Sequence, residues 1–242
     1  MCSLRGHDLP EVPQAEYDRG KVGTVVTPQD WHERHDALLT KWTARARRVF
    51  RDGIVEEGAY WQQPHRIVYL LKEVNVTEGE DPWDLPSFLL EAKRGPTWNM
   101  IAYWTFGLLN GLPQWVDVPQ ANEDFRRQWL RRIAVVNLNK AGGGASCDHQ
   151  RLRDIAARDA DLLREQLALL DPSVVVCGGT GDLAAPFLFE GAPTRRLESG
   201  TRLIDLKNGR PLVFAVAHPQ ARRRGSEMYA SVVDAARELG LT

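Results

Sequence analysis

Long apolar runs are missing from this 242-residue sequence. None approaches the roughly 20 residues that a membrane-spanning helix needs, so no membrane partner is expected. Met1 to Asp8 hold no apolar segment of the kind a secretory signal carries, and none is expected. Cysteine is scarce as well: Cys2, Cys147 and Cys177 are scattered and odd in number. They exclude a four-cysteine iron–sulfur cluster built by this chain alone. Free thiols in a reducing compartment, the cytoplasm, fit them better than a disulfide framework. Excess charge of one sign is absent too, the formal net charge being −1, so there is no global signature of a nucleic-acid binder. There is no Gly-x-Ser-x-Gly nucleophile elbow, and no Gly-Lys-Ser/Thr follows any glycine run, which excludes a P-loop. Cys147-Asp148-His149 is too sparse for a zinc site.

What is there is a set of apolar runs that end in chemistry. Arg66 to Leu71 ends in Lys72-Glu73-Val74-Asn75. Ile133 to Val136 ends in Asn137-Leu138-Asn139-Lys140 and then Gly142-Gly143-Gly144. Pro211 to Ala217 ends in His218-Pro219. Open parallel α/β sheets bind ligands outside the carboxyl ends of their strands, so three loaded strand ends suggest one site.

Residues 1–26, rich in proline, glycine and charge, read as an arm. A helix is expected from Pro28 to about Arg51, carrying Arg45, Arg47, Arg48 and Arg51 as a solvated face. Helices are also expected at 83–92, 98–109, from about 119, over 148–170, after Gly181, and at 227–239. Strands are expected at 66–71, 132–137, 173–177, and as a hairpin of 202–206 and 212–216 around Asn208-Gly209. The alternation implies a mostly parallel sheet of about four strands covered on both faces. We read residues 1–60 as an arm and helix packed on the core, and 61–242 as the α/β domain, a single domain overall.

Each chemical candidate has a plainer alternative. His218 can donate a hydrogen bond to charge on a leaving group, or merely close a turn held by Pro219. Glu73 or Asn75 can position water, or cap a turn; Lys72 can simply pair with a nearby acid. Asn137 can read a base edge with its donor and acceptor, or tie down a strand end. Lys140, Gly142, Gly143, Gly144 and Ser146 can cradle a phosphate, or form a flexible loop. Arg222, Arg223 and Arg224 adjoin His218-Pro219 and suit phosphate contact. Trp83 can stack on a flat ring, or fill the core. Gly179-Thr180-Gly181-Asp182-Leu183-Ala184 fits a dinucleotide pattern, but tight strand-to-helix packing explains it better.

Over roughly residues 65–240 the ordered set resembles the uracil-DNA glycosylase superfamily. Lys72-Glu73-Val74-Asn75 is similar to the family's catalytic loop, Asn137-Leu138-Asn139-Lys140 to its base-reading segment, and His218-Pro219-Gln220 to its His-Pro loop. Departures are Lys72 in place of the leading glycine, a missing proline in that loop, Gln220 in place of serine, and no cluster cysteines. They mark a divergent branch, whose substrate need not be plain uracil. The resemblance implies a three-layer α/β/α fold and a monomeric, cofactor-free hydrolase that excises a modified base from DNA and leaves an abasic site. It extends to base-excision repair, or to defence against phage DNA carrying hypermodified cytosine. Glu73 or Asn75 would position water, His218 would stabilise the leaving base, Asn137 and Trp83 would hold it, and the cations and glycines would grip phosphates. The alternative is a catalytically inactive DNA-binding module on the same fold.

Overall fold

The computed structural model describes residues 28–77, 79–144 and 148–241. Its strands are β1 (Gly53–Ile54), β2 (Ile67–Asn75), β3 (Ala134–Gly143), β4 (Val174–Gly178), β5 (Thr194–Arg196), β6 (Arg202–Ile204) and β7 (Leu212–Val216). Among the described residues they form one seven-stranded sheet, ordered β1-β3-β2-β4-β7-β6-β5. The neighbours β3, β2, β4 and β7 are parallel. β1 pairs antiparallel with β3 at one edge, and β6 and β5 extend the other edge antiparallel. The expected sheet of about four strands was therefore too small, and the full sheet is mixed. The unforeseen β1 and β5 have two and three residues, too few to show an alternating pattern.

Helices cover both faces. On one lie α3 (Leu85–Leu90), α4 (Pro96–Leu109), α5 (Glu123–Leu130) and α9 (Gly225–Glu238). On the other lie α1 (Pro28–Thr43), α6 (His149–Arg158), α7 (Ala160–Leu170) and α8 (Gly181–Leu188). The short α2 (Glu57–Trp61) leads into β2. Side chains alternate across a strand, so Ile67, Tyr69 and Leu71 enter the first core while Val68 and Leu70 enter the second. Burial on both faces is why β2 reads as an unbroken apolar run.

Polar side chains cap the starts of α3, α5 and α6. Asp84, Asn122 and Asp148 each accept the amide hydrogen three residues on, at 2.6, 2.8 and 3.0 Å. Three expected helices differ. The one expected from about residue 119 begins only at Glu123. α1 stops at Thr43, so the Arg45–Arg51 cluster follows it in a connecting segment. The helix expected over 148–170 is two helices broken at Asp159, whose buried carboxylate binds Arg158 Nη2 at 2.7 Å and Arg45 Nη1 at 3.4 Å. No helix among the described residues is long and apolar enough to cross a membrane.

The order of the parallel strands has a consequence for ligands. The chain passes from β2 to β3 on one side, then returns across β2 to β4 and on to β7. The direction of winding reverses between β2 and β4, and the carboxyl ends there border the crevice where such sheets bind ligands.

Candidate functional site

The carboxyl ends of β2, β3 and β7 lie along this edge of the sheet. Glu73 is in register with Asn139 and Leu71 with Asn137, so all four side chains lie on the face of the first core. Asn139 Nδ2 donates to Glu73 Oε2 at 2.7 Å and to the Gly142 carbonyl at 2.9 Å, while its Oδ1 accepts from the Ala141 amide at 3.0 Å. Asn139 is thus fully bonded and holds one carboxylate oxygen of Glu73. A methyl group on Gly143 would fall 2.0 Å from Glu73 Cδ. Glycine there leaves room for the carboxylate. β2 has an irregularity between Glu73 and Asn75, after which Asn75 pairs with Gly143 and is exposed. Of the two candidate water-positioning groups, only Glu73 is held by a neighbouring side chain among the described residues.

Asn137 is 3% exposed, yet its carboxamide makes no hydrogen bond among the described residues. Neither of its amide atoms is sealed from solvent without a partner. A buried side chain with unused donor and acceptor, still within reach of solvent, is disposed to read a polar edge.

His218 lies just beyond β7, with β4 between it and β2. Two strand spacings, about 10 Å, separate the backbones that carry Glu73 and His218. The strand between them ends in Gly178-Gly179, where a side chain would press on Leu71, Pro219 and His218 at about 3.0–3.1 Å. Leu71 and Pro219 close over Gly178, so β4 places no side chain of its own between β2 and β7 there. The Gln220 amide donates to His218 Nδ1 at 3.2 Å, which assigns the proton of the neutral ring to Nε2. Burial lowers the His218 pKa below the ordinary histidine value, and the Lys72 charge lowers it further. The arrangement is a neutral imidazole that offers one N–H donor. Lys72 itself lies 3.2 Å from His149 Nε2, not against the acids of the following loop.

Other expected residues fare differently. Trp83 packs partly buried against the first core, edge-on to Phe50 with ring centroids 5.6 Å apart, and its indole N–H is bound to Glu80 Oε1 at 2.8 Å. Arg222, Arg223 and Arg224 are exposed between His218 and α9. Ser146 lies outside the described residues. Lys140 corrects the sequence reading: it is 1% exposed and bonded to Asp52 Oδ2 at 2.7 Å, the Asn137 carbonyl at 2.8 Å and Gln166 Oε1 at 2.8 Å. An ammonium so engaged does not reach a phosphate. Leaving either member of this buried ion pair alone would cost about 3–5 kcal/mol. Gly142 and Gly143 are also corrected, being strand residues whose missing side chains admit Val76, Phe50 and Glu73. Gly144 is exposed with open space around it.

Asn139, which binds Glu73, was not among the candidates singled out from the sequence, although its spacing of two from Asn137 places both on one strand face. Exposed Arg47 and Arg151 line a cleft of about 530 Å³ beside Asn139 and Ala141. Gly181 is explained by packing, since a methyl there would sit 2.5 Å from Ala215 Cβ. A larger cavity, about 730 Å³, opens between Leu167, Val175, Phe189 and Arg210 at the amino-terminal ends of β4 and β7, away from these strand ends. No group of three or more His, Cys, Asp or Glu among the described residues is arranged to hold a metal ion. Comparison with protein-family models and with curated proteins finds no match.

Proposed function

We propose that this protein is a DNA glycosylase of the uracil-DNA glycosylase type, with that family's three-layer fold, hydrolysing the N-glycosidic bond of a flipped-out, modified base. One observation carries the reading. A side-chain-held carboxylate, a neutral imidazole donor and a buried, unpartnered amide flank the crevice at the β2/β4 switch point. N-glycosidic cleavage needs these three services. Charge builds negative on the departing base and positive on the sugar, and water must arrive at the sugar carbon. His218 Nε2–H donates to the base as its negative charge develops; a preorganised neutral donor does so without reorganisation. Asn137 hydrogen-bonds the base edge, which must first leave the stack at a cost of a few kcal/mol. Glu73 orients water through the carboxylate oxygen that Asn139 leaves unbound. Trp83 borders the extruded ring, and Arg222 to Arg224 hold phosphates beside it. Lys72, whose charge bears on His218, favours a base other than plain uracil, because it stands where the family carries glycine.

The test is base release from duplex and single-stranded DNAs containing uracil, hypoxanthine, 5-hydroxymethylcytosine or glucosylated 5-hydroxymethylcytosine. Freed base is read by mass spectrometry and abasic sites by alkali cleavage. Release that is lost in both His218→Ala and Glu73→Gln is expected. Full activity in both variants would overturn the assignment of roles. DNA binding without release from any substrate would favour the non-catalytic binding module.

A further inference from the structure

We propose that the buried Asp52–Lys140 ion pair is a backbone clamp that sets the Asn137 carboxamide, and so governs which base is accepted; this rests on the glycosylase reading. β1 begins only at Gly53, opposite Val135, and covers β3 only at Ala134 and Val135. Beyond that point the outer edge of β3 has no strand partner among the described residues. The ion pair takes its place. The Asn137 amide donates to Asp52 Oδ2 at 2.6 Å, and the Asn137 carbonyl accepts from Lys140 Nζ at 2.8 Å. The two charged groups are 2.7 Å apart and both nearly inaccessible, so one residue's N–H and C=O are gripped by opposite ends of a single ion pair.

The clamp is itself braced. Gln166 of α7 donates to Asp52 Oδ1 at 2.8 Å and accepts from Lys140 at 2.8 Å. His35 of α1 lies 3.1 Å from Gln166 Nε2, and Lys140 Nζ stands 4.7 Å from the Trp42 ring centroid. Burying two charges is a poor way to gain stability, because their desolvation largely offsets their attraction. Holding one backbone unit in place is a task such a pair performs well. On the opposite side of the sheet from this network, the Asn137 carboxamide is left without a partner of its own among the described residues. Asp52, Lys140 and Gln166 are positioning residues, acting through the Asn137 peptide.

The neutral, similar-volume double variant Asp52→Asn/Lys140→Met removes the ion pair and the grip on the Asn137 carbonyl without stranding a charge. Its single-turnover rate on the DNA base that wild type releases should fall by about tenfold to a hundredfold, the scale of a displacement near 1 Å. Discrimination among bases should weaken, while affinity for abasic DNA, which offers nothing to Asn137, should hold. Gln166→Met, which keeps the ion pair, should lose about threefold in the same direction. Wild-type rate and selectivity in a folded double variant would overturn the clamp, as would equal losses in base release and abasic binding. If the double variant does not fold, Gln166→Met decides alone: unchanged selectivity there refutes the proposal. Asn137→Ala separates the two levels. If it releases base at the wild-type rate, the reading of Asn137 fails and the clamp has nothing to position. If it is slow while the double variant is normal, only the clamp fails.

Discussion

Gly143→Ala tests the site at the point where geometry leaves least room. The added methyl would sit 2.0 Å from Glu73 Cδ and Oε1 and 2.4 Å from Oε2. Ordinary contact needs more than about 3.4 Å, so the carboxylate must move by over 1 Å and give up its bond to Asn139. Glu73 is the movable end of a flexible side chain, so the protein should stay folded, within roughly 1 kcal/mol of wild type. Catalytic geometry is less forgiving: a displacement near 1 Å can cost about a hundredfold in rate. We expect single-turnover base release to fall by that order while DNA affinity, measured by anisotropy, changes little. The sharper assay is a double-mutant cycle. In a Glu73→Gln background, where the carboxylate is already gone, Gly143→Ala should have almost no further effect. Additive losses in the two variants, or a wild-type rate in Gly143→Ala alone, would refute the claim that this glycine exists to admit Glu73.

Electrostatics sets two further outcomes. Burial lowers the His35 pKa from 6.5 to about 4, with the Asp52 charge opposing it. The unfolded chain takes up a proton first, so stability is full above pH 6.5 and falls as pH drops toward about 4. The loss amounts to about 3 kcal/mol. Urea melts followed by tryptophan fluorescence should show His35→Gln losing markedly less over that interval than wild type; parallel curves would show that His35 is not the group responsible. The triple variant Arg222→Ala/Arg223→Ala/Arg224→Ala should lower the salt slope of DNA binding by about 2 to 3, near 0.9 for each phosphate no longer neutralised. An unchanged slope would move the phosphate grip elsewhere, with Arg47 and Arg151 the first to test.

The parallel core and its loaded ends were legible in the sequence because they rest on local signals. Buried strands announce themselves as apolar runs, and His218-Pro219 or Glu73 stands out where such a run stops. The helix start at Asp148 was legible for the same reason, since a cap acts three residues away. Gly181 beside Ala215 was likewise readable as packing. Short edge strands were not legible, because two or three residues carry no period.

The use of each polar group was settled at the tertiary level. Lys140 and Arg222 look alike in a sequence, yet one is sealed against Asp52 and the other faces solvent. Asn137 and Asn139 share a strand face, but Asn139 spends its amide on Glu73, Gly142 and Ala141 while Asn137 keeps its own. Hydrophobic burial and local backbone preference, both written in the order of residues, dictate that strands end in these side chains. Which of them stay available depends on partners 66 to 88 residues away, such as Glu73 for Asn139 and Asp52 for Lys140. Only the folding of the sheet brings those partners within hydrogen-bond reach.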